Sequence, residues 1–234
     1  LRSWQIYLEG KRGLARGSVS TASATIKSFY SGNYCGLIVK SPKSWTTRER
    51  KVPTREELKL MIDYSNKIKD KTVITVLAQT GISLGDFLEL ITYDLIKDES
   101  EEHLEPLHLH LERTKIRKKY DTFIGAESIA LLTEYLETFK PKAAQPMFDL
   151  SPRTVEYMVS NASVRAKLKP TVTPHKLRAF FSTRLKLAGC PDPQVEYWMG
   201  HVVPYGGAYF VPPVEEQRQL YRKYERMLSI GDLK

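Results

Sequence analysis

Cysteine is nearly absent. Cys35 and Cys190 are the two thiols in 234 residues, and neither belongs to a Cys-x-x-Cys pair, so a disulfide framework and a thiolate zinc site are excluded. Long apolar runs are missing, and no segment reaches the roughly 20 residues that span a bilayer. No charged-then-apolar leader precedes the first helix. A cytoplasmic protein without membrane attachment is expected. Repeats and low-complexity tracts are lacking as well. What remains is an ordinary globular mix, 41% hydrophobic and 27% charged, long enough for one large domain or a small one beside a larger one.

Strand signals are scarce too, so a mainly α protein with a small antiparallel β-hairpin sheet is expected. The one clear signal is Leu107-His-Leu-His-Leu111, whose leucines alternate with histidines as in a half-buried strand. A basic turn from Arg113 to Lys118 comes next, then a return strand from about Lys119 to Ile124. His108 and His110 point to one side of their strand, but no third ligand of suitable spacing is evident, so they read as an exposed polar face and no metal site is expected.

Charge is unevenly spread. Residues 1–51 hold ten Lys or Arg against two Glu, so nearly all of the formal +9 sits there. That marks the N-terminal part as the polyanion-facing piece, or else as a solvated basic surface. The chain opens inside a helix, Leu1 to about Gly10, without an initiator Met, and upstream sequence is expected to be missing. A second helix is predicted from about Ser18 to Tyr30, capped by Ser18 or Ser20 and ended by Gly32, Asn33 and Gly36. Pro42 to Lys51 reads as a basic linker, placing a boundary near Val52.

Beyond it, Thr54-Arg-Glu-Glu57 forms a capping box, and further helices are predicted at about Lys71 to Gln79, around Phe87 to Leu90, at Ala126 to Phe139 and at Ser151 to Leu168. Ser151-Pro152, Thr173-Pro174 and Asp192-Pro193 each look like an N-cap with proline at the first helical position. After Pro213, Leu220, Tyr221, Tyr224, Met227 and Leu228 define an amphipathic C-terminal helix in which both tyrosines pack.

The chemistry concentrates late in the chain. In a helix beginning at Pro174, His175 and Arg178 share a face near free backbone amides that attract an anion. Arginine offers a planar fork for two phosphate oxygens and histidine a further donor. His-x-x-Arg alone is more often a surface pair; its force comes from Gly200-His201 and Tyr209 further along the chain. Gly200 can supply the φ > 0 turn that brings His201 back toward the same cleft. Tyr209 sits eight residues beyond His201 in a Gly-rich, Pro-bounded loop.

This ordered set resembles the tyrosine recombinase (phage integrase) family, especially its archaeal-type members, and the resemblance spans nearly the whole chain. Val52-Pro-Thr-Arg-Glu-Glu-Leu58 is similar to the opening of the family's helical catalytic domain, and Thr80-Gly-Ile-Ser-Leu-Gly-Asp-Phe87 to its first active-site motif. The hairpin from Arg113 to Gly125 resembles its lysine-bearing β-turn. The resemblance implies a catalytic domain at 52–234 preceded by part of a helical core-binding domain at 1–51, which together clamp duplex DNA.

It implies that Tyr209 is the nucleophile forming a 3′-phosphotyrosyl link and that Lys115 protonates the leaving 5′ oxygen, with Lys118 and Lys119 as competitors. His175, Arg178 and His201 would stabilise the transition state. Arg12, Arg16, Lys27, Lys40, Lys43, Arg48, Arg50 and Lys51, with Arg113, Arg117 and Lys118 on the hairpin, become candidate DNA contacts. No cofactor is implied, and the C-terminal helix would join protomers of a homo-oligomer on DNA.

Two departures stand out. The family's first motif carries an arginine where this chain has Ser83, so one guanidinium fork is missing from its expected place. An introduced substitution, a natural variant with arginine supplied from elsewhere, and a silent DNA-binding relative all fit that. Many members also place the tyrosine one residue later, where Phe210 stands; Tyr209 fits the archaeal-type spacing, with Tyr205 or an inactivated site as alternatives. A type IB topoisomerase-like enzyme is a further alternative.

Overall fold

The structure, a computed structural model, describes residues 2–33, 40–42, 51–93, 95–96, 105–113, 117–139, 145–202 and 212–231. The chain divides into two compact units, Leu1–Arg50 and Lys51–Lys234.

In the first unit, α1 (Arg2–Gly10) and α2 (Arg16–Gly32) are joined by a turn in which Gly13 has φ 61°. Gln5 Nε2 donates to Ser23 Oγ at 2.8 Å, tying the helices together over buried Val19. α2 starts earlier than the Ser18 expectation. Its N-cap is Ala15, which offers no side-chain bond, so Ser18 and Ser20 lie inside the helix rather than capping it. Arg12, Arg16 and Lys40 are exposed and Lys27 is half-buried. Lys43, Arg48 and Arg50 lie outside the described residues, as do Cys35 and Gly36.

The second unit runs α3 (Arg55–Asp63), α4 (Ile68–Thr80), α5 (Leu84–Leu90), β1 (Leu107–Arg113), β2 (Lys118–Ile124), α6 (Ala126–Phe139), α7 (Pro152–Arg165), α8 (Pro174–Leu187), α9 (Asp192–Trp198) and α10 (Val214–Leu228). The capping box forms: Thr54 Oγ1 accepts from the Glu57 amide at 3.2 Å and Glu57 accepts in return from the Thr54 amide at 2.9 Å. α4 is the central helix, with every residue from Thr72 to Thr80 buried. A helix buried all round must be wrapped by others, and α4 packs against α6, α8 and β2. Among the described residues no single helix is long and apolar enough to cross a membrane.

The hairpin pairs Leu107 with Ile124 at its base and Arg113 with Lys118 at its far end. Leu107, Leu109 and Leu111 are buried as their alternation requires. Behind the sheet, Phe123, Trp198 and Tyr221 form an aromatic cluster, with ring centroids 5.5 to 6.0 Å apart. α10 packs on the body of its own chain: Tyr221 is buried and donates to Gln79 O at 3.0 Å, and Tyr224 donates to Gly189 O at 3.1 Å. Packing is thus their role, as the helical spacing indicated.

Of the three expected proline-start caps, Ser151 and Thr173 stand at the N-cap as expected and Asp192 does not. Ser151 does cap α7, accepting from the Thr154 amide at 3.1 Å. Thr173 precedes α8 without a side-chain cap bond, and Asp192 is the first helical residue of α9, behind Pro191. In both places proline at the start suffices to set the helical φ.

Gly81 ends α4 in the left-handed region with φ 63°, and a Cβ there would stand 2.3 Å from Phe181 Cδ1. Left-handed backbone strain and the collision act together, so Gly81→Ala should destabilise the fold by at least ~2 kcal/mol, measured as a lowered urea midpoint at unchanged m-value.

Candidate active site

The turn after Gly81 leads into α5, whose N-cap is Ser83. Its hydroxyl accepts from the Asp86 amide at 3.2 Å. Capping suits serine and turns α5 so that Asp86 is buried. The Asp86 carboxylate accepts from Tyr120 Oη at 3.1 Å and faces Arg113 Nε at 3.4 Å. Burial first, then the Asp86 charge, pushes the Tyr120 phenol well above its ordinary pKa, which keeps it a donor.

Arg178 is the centre of the site. It is buried, donates from Nη1 to Gly81 O at 2.6 Å and from Nη2 to Met199 O at 2.7 Å, and places Nη2 2.6 Å from His201 Nε2. A guanidinium only donates, so His201 Nε2 is the acceptor and the ring proton sits on Nδ1, which meets Glu196 Oε2 at 2.5 Å. Gly200, with φ 68°, supplies the turn that makes this approach. Burial and then neighbouring Arg113 bring the Arg178 pKa down to about 10, still charged at neutral pH. Burial would raise Glu196, but bonds from Lys186 and His201 outweigh it and hold the carboxyl below its ordinary value.

The hairpin end enters from the other side. Arg113 Nη1 donates to Gly200 O at 3.3 Å, and Lys118 Nζ donates to His201 O. Three successive carbonyls, Met199, Gly200 and His201, therefore each hold a cation at the C-terminal end of α9, where the helix dipole favours positive charge. Burial, then Arg113, lowers the Lys118 pKa, easing release of its proton.

Ser83, Arg113, His175, Arg178 and His201 line one cavity of about 870 Å³, with Arg153 from the first turn of α7. His175 is exposed at its rim. Sequence reasoning missed Arg153, although Ser151-Pro152 placed it at a helix start beside an anion-attracting turn. Arg117 is exposed in the left-handed region, φ 47°. Lys51 pairs with Glu57 at 2.6 Å. Lys115, Tyr205 and Tyr209 lie outside the described residues.

His108 and His110 differ from the expectation of an exposed face. Asp121, directly opposite His110 on β2, brings Oδ1 within 2.8 Å of both imidazoles, while its Oδ2 accepts from Tyr197 Oη at 2.6 Å and faces Gln217 Nε2 at 3.4 Å. His108 is largely buried and His110 stays exposed. The missing third group is thus supplied by strand pairing, across a turn whose length the sequence pattern did not fix; Oδ1 ties the two strands together through the imidazoles, and Oδ2 joins the hairpin to α9 and α10.

With this geometry in view, the comparisons are specific. The phage integrase family model matches residues 51–204. Tyrosine recombinase XerC of Leptospira interrogans is 26% identical over 246 residues, 95% of this chain and 76% of the relative. Tyrosine recombinase XerD of Staphylococcus aureus is 25% identical over 221 residues, 81% and 70% of the two chains. Among solved structures, XerH site-specific recombinase bound to difH substrate, a pre-cleavage complex, aligns with a TM-score of 0.66 at 18% identity over 92% of this chain and 67% of that chain. The Tn1549 transposon integrase in complex with circular intermediate DNA gives 0.58 at 19% over 93% and 81%. The chain belongs to the phage integrase family and is a site-specific tyrosine recombinase.

Burial would raise the Asp121 pKa, yet bonds from His108, Tyr197 and His110 hold it far below the ordinary 3.8. A depressed folded-state pKa contributes stability that is present above the unfolded value and lost as pH falls through the folded one. Wild-type stability should therefore decline below about pH 4. Asp121→Asn, which turns one acceptor into a donor, should cost about 1–3 kcal/mol at neutral pH and flatten that decline, read by urea unfolding across the acid range.

Proposed function

We propose that this recombinase breaks and rejoins duplex DNA through a 3′-phosphotyrosyl intermediate on Tyr209. The observation that carries the reading is the gathering of Arg178, His175 and His201 around one cavity beside Arg113 and Lys118. A phosphodiester seated there meets a charged fork fixed from behind by two carbonyls, so little reorganisation is needed as charge develops. Tyr209 Oη attacks phosphorus as its proton passes to water, the bond to the 5′ oxygen breaks, and a lysine of the hairpin delivers a proton to that leaving oxygen. Lys115 takes this role by motif, with Lys118 as the nearest described ammonium. A later 5′-hydroxyl attack reverses the step, and because the phosphotyrosine conserves the bond energy, no ATP is required.

Residues 1–51 act in this reading as part of a DNA-gripping core-binding domain and 52–234 as the catalytic domain, inside the cell where DNA is found. The exposed cations of the first unit support phosphate contact. Assembly on DNA occurs through α10. Tyr221, Tyr224 and Gln217 hold it to its own chain, Gln217 through Gln194 and Trp198, and passing it to a neighbour would remake the same contacts there, which is why such exchange costs little.

A pool of nicked duplexes with randomised flanks tests the reading. An SDS-stable protein–DNA adduct that disappears in Tyr209→Phe is expected. Duplex binding retained without any adduct would instead identify a silent binder, and relaxation of supercoils without sequence preference a topoisomerase. Binding should weaken with salt, and Arg12→Ala and Arg16→Ala should each reduce the slope of log K against log salt by about 1 if each contacts a phosphate.

A further inference from the structure

Ser83 leaves the site one guanidinium short of the first motif, and the cavity contains another. We propose that Arg113, at the end of β1, supplies the second fork to the scissile phosphate that position 83 does not; this rests on the cleavage reading and names a residue for it.

Three observations carry it. First, Arg113 lines the same cavity as Ser83, His175, Arg178 and His201. Second, it is held in place by the residue next to the gap: its Nε faces the Asp86 carboxylate at 3.4 Å, and the Asp86 amide in turn donates to Ser83 Oγ at 3.2 Å. Its Nη1 reaches Gly200 O at 3.3 Å. Contacts with described residues occupy Nε and Nη1, leaving the Nη2 donors of the fork for an anion. Third, Arg113 and Arg178 bind adjacent carbonyls, Gly200 and Met199, so two guanidinium groups stand side by side.

Like charges brought together in a partly desolvated cavity oppose each other, and the lowered pKa of Arg178, with burial its first cause and Arg113 its second, expresses that opposition. An anion between the two forks relieves it. The negative charge of a pentacoordinate phosphorus, spread over non-bridging oxygens, is greater than that of the ground-state diester, so the relief is larger in the transition state, the condition for catalysis rather than binding. Arg153 lines the same cavity but is exposed on α7, and among the described residues it has no carbonyl and carboxylate brackets like those that fix Arg113.

The test uses the full chain and the nicked-duplex pool, reading the rate of Tyr209-dependent adduct formation beside duplex affinity and thermal unfolding. Arg113→Ala should lose roughly 10²- to 10³-fold in rate, far more than it loses in duplex affinity. Arg113→Lys, which keeps the charge without the fork, should recover only part. The decisive variant is Ser83→Arg combined with Arg113→Ala, which should regain at least tenfold over Arg113→Ala, since arginine from α5 then fills the vacated place. A merely structural Arg113 could not be rescued from α5.

A wild-type adduct rate that survives Arg113→Ala overturns the proposal alone. So does a loss that Ser83→Arg does not relieve in a folded, DNA-binding double variant, or a greater loss in Arg153→Ala than in Arg113→Ala. Should Arg113→Ala fail to fold, Arg113→Gln, which keeps the aliphatic stem and a donor near the Nε position without the charge or the fork, takes its place in both arms. Absence of any adduct from the wild-type chain overturns the proposal together with the reading beneath it.

Discussion

The fold converges on one buried cation. Arg178 joins the C-terminal end of α4 through Gly81 O, the end of α9 through Met199 O, and the imidazole of His201, partners that lie 97, 21 and 23 residues away in the chain. Burying a guanidinium is expensive unless hydrogen bonds replace water. Here carbonyls at two helix ends do so, because each end leaves acceptors unsatisfied by its own helix. The side chain therefore serves two purposes: it closes the helix ends over one another, and it presents its remaining positive field to the cavity.

The same logic extends along the turn after α9. Met199, Gly200 and His201 hold Arg178, Arg113 and Lys118 with backbone oxygens, a matrix that orients cations without neutralising them. Carboxylates could have neutralised them. Asp86 is shared between Tyr120 and Arg113, Glu196 is taken up by Lys186 and His201, and Glu156 is a single carboxylate in a lining that holds Arg113, Arg153 and Arg178. The site thus keeps positive charge in excess where a phosphodiester would bring the compensating charge.

Local signals in the sequence were read well where a single segment decides the outcome. The Thr54–Glu57 capping box, the alternation of Leu107, Leu109 and Leu111, the left-handed Gly200 and the packing of Tyr221 all concern residues within a few positions of one another. His175, Arg178 and His201 were legible for the same reason, with the motif order supplying their common purpose. What escaped depends on chain segments meeting at a distance. Asp121 completes the His108 and His110 cluster only because the hairpin register puts it opposite His110. Arg113 was read as a DNA contact from its place on the hairpin, since nothing local shows that its fork is held by Asp86 and Gly200. Ser18 and Ser20 misled because intrinsic capping preference lost to a start at Arg16, where the turn through Gly13 fixes the approach to α2.

Ser83 is the place where local and global requirements part. As a helix N-cap serine is well chosen: it satisfies the Asp86 amide and so orients the carboxylate that holds Arg113. An arginine at this position would forgo that cap, at about 1 kcal/mol, and would add a further guanidinium to a cavity that Arg113, Arg153 and Arg178 already line and where Arg113 opposes Arg178. The serine and the bracketed Arg113 are thus mutually consistent. Each makes the other's geometry cheaper, and the pair satisfies the helix start and the charge requirement of the cavity with fewer opposed cations than an arginine at 83 beside Arg113 would impose.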